Sequence, residues 1–67
     1  MKINYDPDVD ILRITFNNSP IEESDEEKPG MILDYDINGK IVGLEILHAS
    51  KTIEHPQSVE YAVEVLT

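Results

Sequence analysis

The sequence predicts a mainly β fold (β-rich α+β): an antiparallel meander sheet of roughly four to six short strands, with a short helical turn near residues 48–53. Three observations lead there. The chain has 67 residues, enough for a single small domain, 1–67, and no more. Apolar and polar residues alternate in several short runs, the period of a strand with one buried face. Asn38-Gly39 lies between two such runs, and that pair is the strongest short-range hairpin signal.

The elements follow in order. Ile3 and Tyr5 alternate with Lys2 and Asn4, which predicts a first strand. Asp6-Pro7-Asp8-Val9-Asp10 reads as a loop, because Pro7 fixes its own φ and aspartate side chains accept nearby backbone N–H groups. Residues 11–16 follow as a strand, with Leu12, Ile14 and Phe16 on one face and Arg13 and Thr15 on the other. The short loop makes these two strands an antiparallel hairpin. Asn17-Asn18-Ser19-Pro20 is another turn. Residues 21–27 carry Glu22, Glu23, Asp25, Glu26 and Glu27, too much charge for a central strand. The segment fits an edge strand, where charge deters pairing with other sheets, or a loop. Pro29-Gly30 ends it.

Residues 31–47 are the most informative. If Asn38-Gly39 is a two-residue type I′ loop, Tyr35 faces Val42, Asp34 faces Gly43, Leu33 faces Leu44, Ile32 faces Glu45 and Met31 faces Ile46. One face is then wholly apolar: Met31, Leu33, Tyr35, Val42, Leu44 and Ile46. A slip of one residue would scramble it, so turn chemistry and pattern agree on the register. Beyond Leu47, a helical turn around Ala49-Ser50-Lys51 is expected before Pro56. Residues 58–66 fit two patterns. Val59, Tyr61, Val63 and Val65 alternate as in a strand, while Val59, Ala62, Val63 and Leu66 fit a helical face. The valine and tyrosine content favours the strand. The apolar face of such a sheet must be covered. One turn cannot do this, so a C-terminal helix, a second copy or a partner must. A homodimer burying Leu33, Tyr35, Leu44 and Ile46 is the expectation when no partner is bound.

Composition narrows the function. Fourteen acidic residues stand against Lys2, Arg13, Lys28, Lys40 and Lys51, for a net charge of -9. The basic residues are scattered, so neither nucleic acid nor an anionic membrane surface is an expected partner. A small basic protein is. Without cysteine there are no disulfides and no thiolate metal sites. Residues 1–6 lack the apolar core of a signal peptide, and no apolar stretch reaches transmembrane length, so a cytoplasmic location is expected.

Asp34-Tyr35-Asp36-Ile37-Asn38-Gly39, with Glu45 after five more residues, matches the calcium-loop pattern of an EF-hand. That loop needs an entering helix, which Pro29-Gly30 and the β-branched run preclude, so the hairpin accounts better for these residues. No metal and no cofactor is expected. His48 and His55 lie near Glu45 and Glu54, yet no nucleophile with an oriented base stands out, and there is no glycine-rich phosphate loop. Binding is favoured over catalysis. In the first of two readings, the chain is a protein-binding module whose contact residues are Glu22, Glu23, Asp25, Glu26 and Glu27. In the second, it is a small enzyme or a ligand- or metal-binding protein using Asp34, Asp36, Glu45 and His48.

The stretch Pro29-Gly30-Met31-Ile32-Leu33-Asp34-Tyr35-Asp36, then Asn38-Gly39-Lys40-Ile41-Val42-Gly43-Leu44-Glu45-Ile46-Leu47 and Ala49-Ser50, resembles a small prokaryotic family, domain of unknown function 2283. So does the opening Ile3-Asn4-Tyr5-Asp6-Pro7 with Asp10 and the strand after it. The resemblance runs from about Met1 to Lys51. It implies a small partner protein in two-gene cassettes with RelE-like ribonuclease folds, hence an antitoxin-like role. The basic DNA-binding helix of a usual antitoxin has no counterpart in this sequence.

Overall fold

Five strands form one antiparallel sheet, in the order β1-β2-β5-β4-β3, in a computed structural model that describes residues 1–65. They are β1 (Lys2–Asp6), β2 (Ile11–Thr15), β3 (Glu23–Lys28), β4 (Met31–Tyr35) and β5 (Ile41–Leu47), followed by a 3-10 turn at Ala49–Lys51. The meander is confined to β3, β4 and β5, and the β1–β2 hairpin docks on the free side of β5. Sequence explains the order. Strand β3 is so charged that only an edge can hold it, and the apolar run of β5 suits the centre. The connection 16–22 carries the chain across to the far edge, and Phe16 N–H still bonds the Val42 carbonyl at 2.8 Å.

Pairing along β4 and β5 follows the predicted register: Met31 with Ile46, Ile32 with Glu45, Leu33 with Leu44, Asp34 with Gly43. The turn differs from the type I′ expectation. Tyr35 pairs with Ile41, which leaves Val42 as an extra residue in a β-bulge. Gly39 has φ 78°, but Asn38 is not in the positive-φ region. Gly39 N–H bonds the Asp36 carbonyl at 3.0 Å, and Asp36 N–H bonds the Lys40 carbonyl at 2.8 Å. This is a type I turn closed by a left-handed glycine. Asp36 is the reason. Its Oδ1 accepts the N–H groups of Asn38 and Lys40, each at 2.9 Å, and this holds the longer loop.

The strand expected at residues 58–66 is also corrected. Residues 58–65 are neither strand nor helix, and Leu66 lies outside the described residues. A strand needs a neighbour for its backbone, and Val59, Tyr61, Val63 and Val65 all stand exposed. The helical alternative fails because β-branched valines and a short length cannot sustain an isolated helix.

Directly paired residues share a face, so Ile3, Tyr5, Leu12, Ile14, Leu44, Ile46, Leu33 and Met31 lie on one side of the sheet. Leu12, Val42 and Ala49 are the buried apolar residues among those described. Leu33, Leu44 and Ile46 are only partly buried, because the described residues form no second layer over this face.

Candidate functional site

The opposite face carries a polar network across four strands. Pairing sets Arg13 of β2 beside Glu45 of β5, and sets Thr15, Gly43 and Asp34 in the adjoining row across β2, β5 and β4. Gly43 presents no side chain to that row. A Cβ there would fall 2.8 Å from the Ile14 carbonyl oxygen and 3.5 Å from Asp34 Oδ2. Arg13 therefore reaches over the central strand: Nη1 donates to Glu45 Oε1, and Nη2 donates to Asp34 Oδ2 at 3.1 Å. Ser24 Oγ of β3 donates to Asp34 Oδ1 at 2.6 Å. Asp34 is the buried charged residue of the described chain, and both its oxygens are bonded. The guanidinium offsets the cost of burying that carboxylate, and the serine ties the edge strand to the centre.

A second cluster closes one end of the sheet. Asp10 sits at φ 57°, and its Oδ1 accepts Tyr5 O–H at 2.7 Å and Ser50 N–H at 2.9 Å. Ser50 Oγ donates to its Oδ2 at 2.7 Å, and Ala49 N–H to its carbonyl at 2.9 Å. Donation from the Ser50 hydroxyl, then from Tyr5, holds the Asp10 carboxyl below its ordinary range. The bond to Asp10 raises Tyr5 in turn. This cluster clamps the β1–β2 loop onto the 3-10 turn.

Of the candidate contact residues, Glu23, Asp25, Glu26 and Glu27 stand on β3, an outer strand exposed along its whole length, and Glu22 immediately precedes it. Glu23 and Asp25 pair with Tyr35 and Leu33, so they rim the apolar face, while Ser24 and Glu26 belong to the polar one. A bulge between Glu26 and Lys28 sets Glu27 apart, and Tyr35 O–H donates to its Oε1 at 2.6 Å. That bond chiefly, with desolvation and the charges of Glu27, Asp25 and Glu23, pushes the Tyr35 hydroxyl up to about 12. Glu22 N–H continues the pairing with the Tyr35 carbonyl at 2.8 Å. Glu22, Glu23, Asp25, Glu26 and Glu27 are thus brought together along one open edge.

The residues of the second reading are not gathered in this way. Asp34 and Glu45 meet through Arg13. Asp36 caps the β4–β5 turn, and His48, at φ 51°, precedes the 3-10 turn. Among the described residues, no group of three or more His, Asp or Glu side chains is placed to hold a metal ion. Arg13 is the residue that sequence reasoning passed over. A lone arginine inside a strand was the available signal, but its partners depend on β5 inserting beside β2.

The family model described as protein of unknown function (DUF2283) matches residues 2–50, the span from β1 to the 3-10 turn. No curated protein and no solved structure matches the chain.

Proposed function

The chain belongs to the family of proteins of unknown function DUF2283, and we propose that it works as a protein-binding module that offers its β3 edge to a small basic protein. One observation carries this reading: five acids fall in the run 22–27, four of them on the outer strand β3, where every residue is exposed. The unpaired backbone of an edge strand can accept an extended segment of a partner through main-chain hydrogen bonds. The acids select a basic segment and speed its approach. The same acids keep the edge from pairing with another copy of itself. The antitoxin-like role implied by the family resemblance is the case in which the basic partner is an RNA-cleaving enzyme. Such an enzyme needs a positive surface for its substrate, and an acidic strand lying on that surface would block it.

The test is kinetic. Association with a small basic protein encoded beside this one should slow steeply as salt rises, since charges are screened over about 10 Å at 0.1 M. Replacing Glu22, Glu23, Glu26 and Glu27 by lysine should slow association by roughly tenfold or more and flatten the salt dependence. Equal rates for parent and variant would leave the acids with no role beyond guarding the edge.

A further inference from the structure

The other edge of the sheet has a different character. Among the described residues, strand β1 pairs with β2 alone, which leaves its outer backbone open. It carries one base, Lys2, and one acid, Asp6, against the four acids of β3. Beside it runs a cleft of about 350 Å³, lined by Ile3, Tyr5, Pro7, Pro56, Gln57 and Val59. The chain leaves the 3-10 turn through this wall. It then continues as the segment 58–65, in which Val59, Tyr61, Val63 and Val65 alternate with Glu60, Ala62 and Glu64. Those four apolar side chains are 57%, 71%, 72% and 83% exposed. An alternating segment rich in valine and tyrosine has the composition of a strand and lacks only a partner.

We propose that the segment 58–65 is an exchange arm that adds as a strand to the β1 edge of a second copy of this chain, forming a homodimer. The match lies in pattern and charge. Ile3 and Tyr5 project to the apolar face, and Lys2 and Asn4 to the polar one. An arm strand with Tyr61, Val63 and Val65 beside Ile3 and Tyr5 widens the apolar face. It sets Glu60 and Glu64 in the row of Lys2, Asn4 and Asp6, whose charges cancel. On β3 the same arm would set its glutamates against Glu26 and the neighbouring acids, and like charges across strands repel. Charge therefore steers the arm to β1.

The occupant is a second copy rather than the chain's own arm. Pro56 and Val59 already build the wall of the cleft, so the segment that follows starts beside β1 without lying on it. The backbone bond it makes among the described residues, from Ser58 N–H to the His55 carbonyl at 2.9 Å, is local. No glycine, proline, asparagine or aspartate occurs in 58–65 to reverse the chain back toward β1. Association also supplies what the small core lacks, since chains of this length usually need a staple or a partner. The inference uses the edge opposite β3 and stands independently of the proposed partner.

The chain has no cysteine, so single-cysteine variants of the full protein give a clean test. Sedimentation at low micromolar concentration should show a dimer. Asn4→Cys and Ala62→Cys chains, mixed under mild oxidation, should form a disulfide-linked heterodimer well above the yield of Asn18→Cys mixed with Ala62→Cys. Tyr61→Asp should weaken the dimer by about tenfold or more and lower the melting temperature only at concentrations where the parent is dimeric; at high dilution the two monomers should melt together, because the side chain is exposed in the single chain. Three results would overturn the proposal. One is a monomer in the parent chain. Another is an intramolecular disulfide in the Asn4→Cys/Ala62→Cys double variant, which would place the arm on its own β1. The third is a dimer indifferent to Tyr61→Asp, which would mean face-to-face packing of the two sheets.

Discussion

The two faces of the sheet solve opposite problems. On the polar face, a buried carboxylate, Asp34, has both oxygens bonded and an arginine beside it. On the apolar face, Leu33, Leu44 and Ile46 remain half-exposed. The polar face thus satisfies its buried charge internally, while the apolar face, apart from Leu12 and Val42, is only partly covered. A buried, fully bonded network makes register and strand order specific, whereas an uncovered apolar face leaves stability to association. This contrast suits a binding module: the polar face holds the five strands in order while the apolar face and both edges stay available.

Gly43 is where the polar face should break most severely. Its missing side chain leaves room for the approach of β2 and for the Arg13–Asp34 bond across β5. The obstacle to a Cβ is a backbone oxygen, which cannot swing away. Gly43→Val should therefore cost about 3 kcal/mol or more, enough to unfold a domain of this size, by circular dichroism during denaturation. A variant as stable as the parent would show that the central rows are not packed as described.

Arg13 comes next. Arg13→Met leaves the Asp34 carboxylate buried with only Ser24 for company. Removing one partner of a buried pair is far more damaging than replacing both. Because the arginine side chain is itself 37% exposed, water relieves part of the loss, and about 2 kcal/mol is expected. Arg13→Met/Asp34→Leu should recover part of it. If the double variant were less stable than the single by the full cost of another mutation, the two residues would not be coupled.

The features visible in the sequence are local ones. The four apolar-patterned strands, the exposed character of β3 and the pairing of Met31 through Asp34 with β5 follow from alternation and charge within a few residues. The turn type does not, because an Asp36 side chain outcompetes the Asn38-Gly39 preference and inserts a bulge. The Arg13 network is hidden because it requires β5 beside β2, a pairing between distant segments: Glu45 lies 32 residues after Arg13. The segment 58–65 misleads for a related reason: its residues favour a strand, and a strand exists only where another supplies its hydrogen bonds.

The smallest effect belongs to the rim of the apolar face, where Tyr35 meets Glu27. The phenol donates to the carboxylate only while it keeps its proton, and three acids around it resist a second negative charge. Its ionisation is therefore moved from about 10 up to about 12. A group raised above its unfolded value favours the fold while both states are protonated, so the bond contributes fully below about pH 10. The contribution then falls as pH rises, and is gone once the folded state ionises near 12. Ultraviolet titration of tyrosinate should show one late component that disappears in Tyr35→Phe and moves earlier in Glu27→Gln. Stability measured against pH should diverge between parent and Tyr35→Phe below about pH 10 and converge above 12. A Glu27→Gln protein with an unmoved titration curve would mean that the bond does not form in solution. The same hydroxyl reports on the edge that β3 presents. A basic segment that took Glu27 as its own partner would remove the bond that chiefly holds the phenol protonated, so binding should bring the late component down toward an ordinary tyrosine. A complex that left it at about 12 would place the partner away from Glu27.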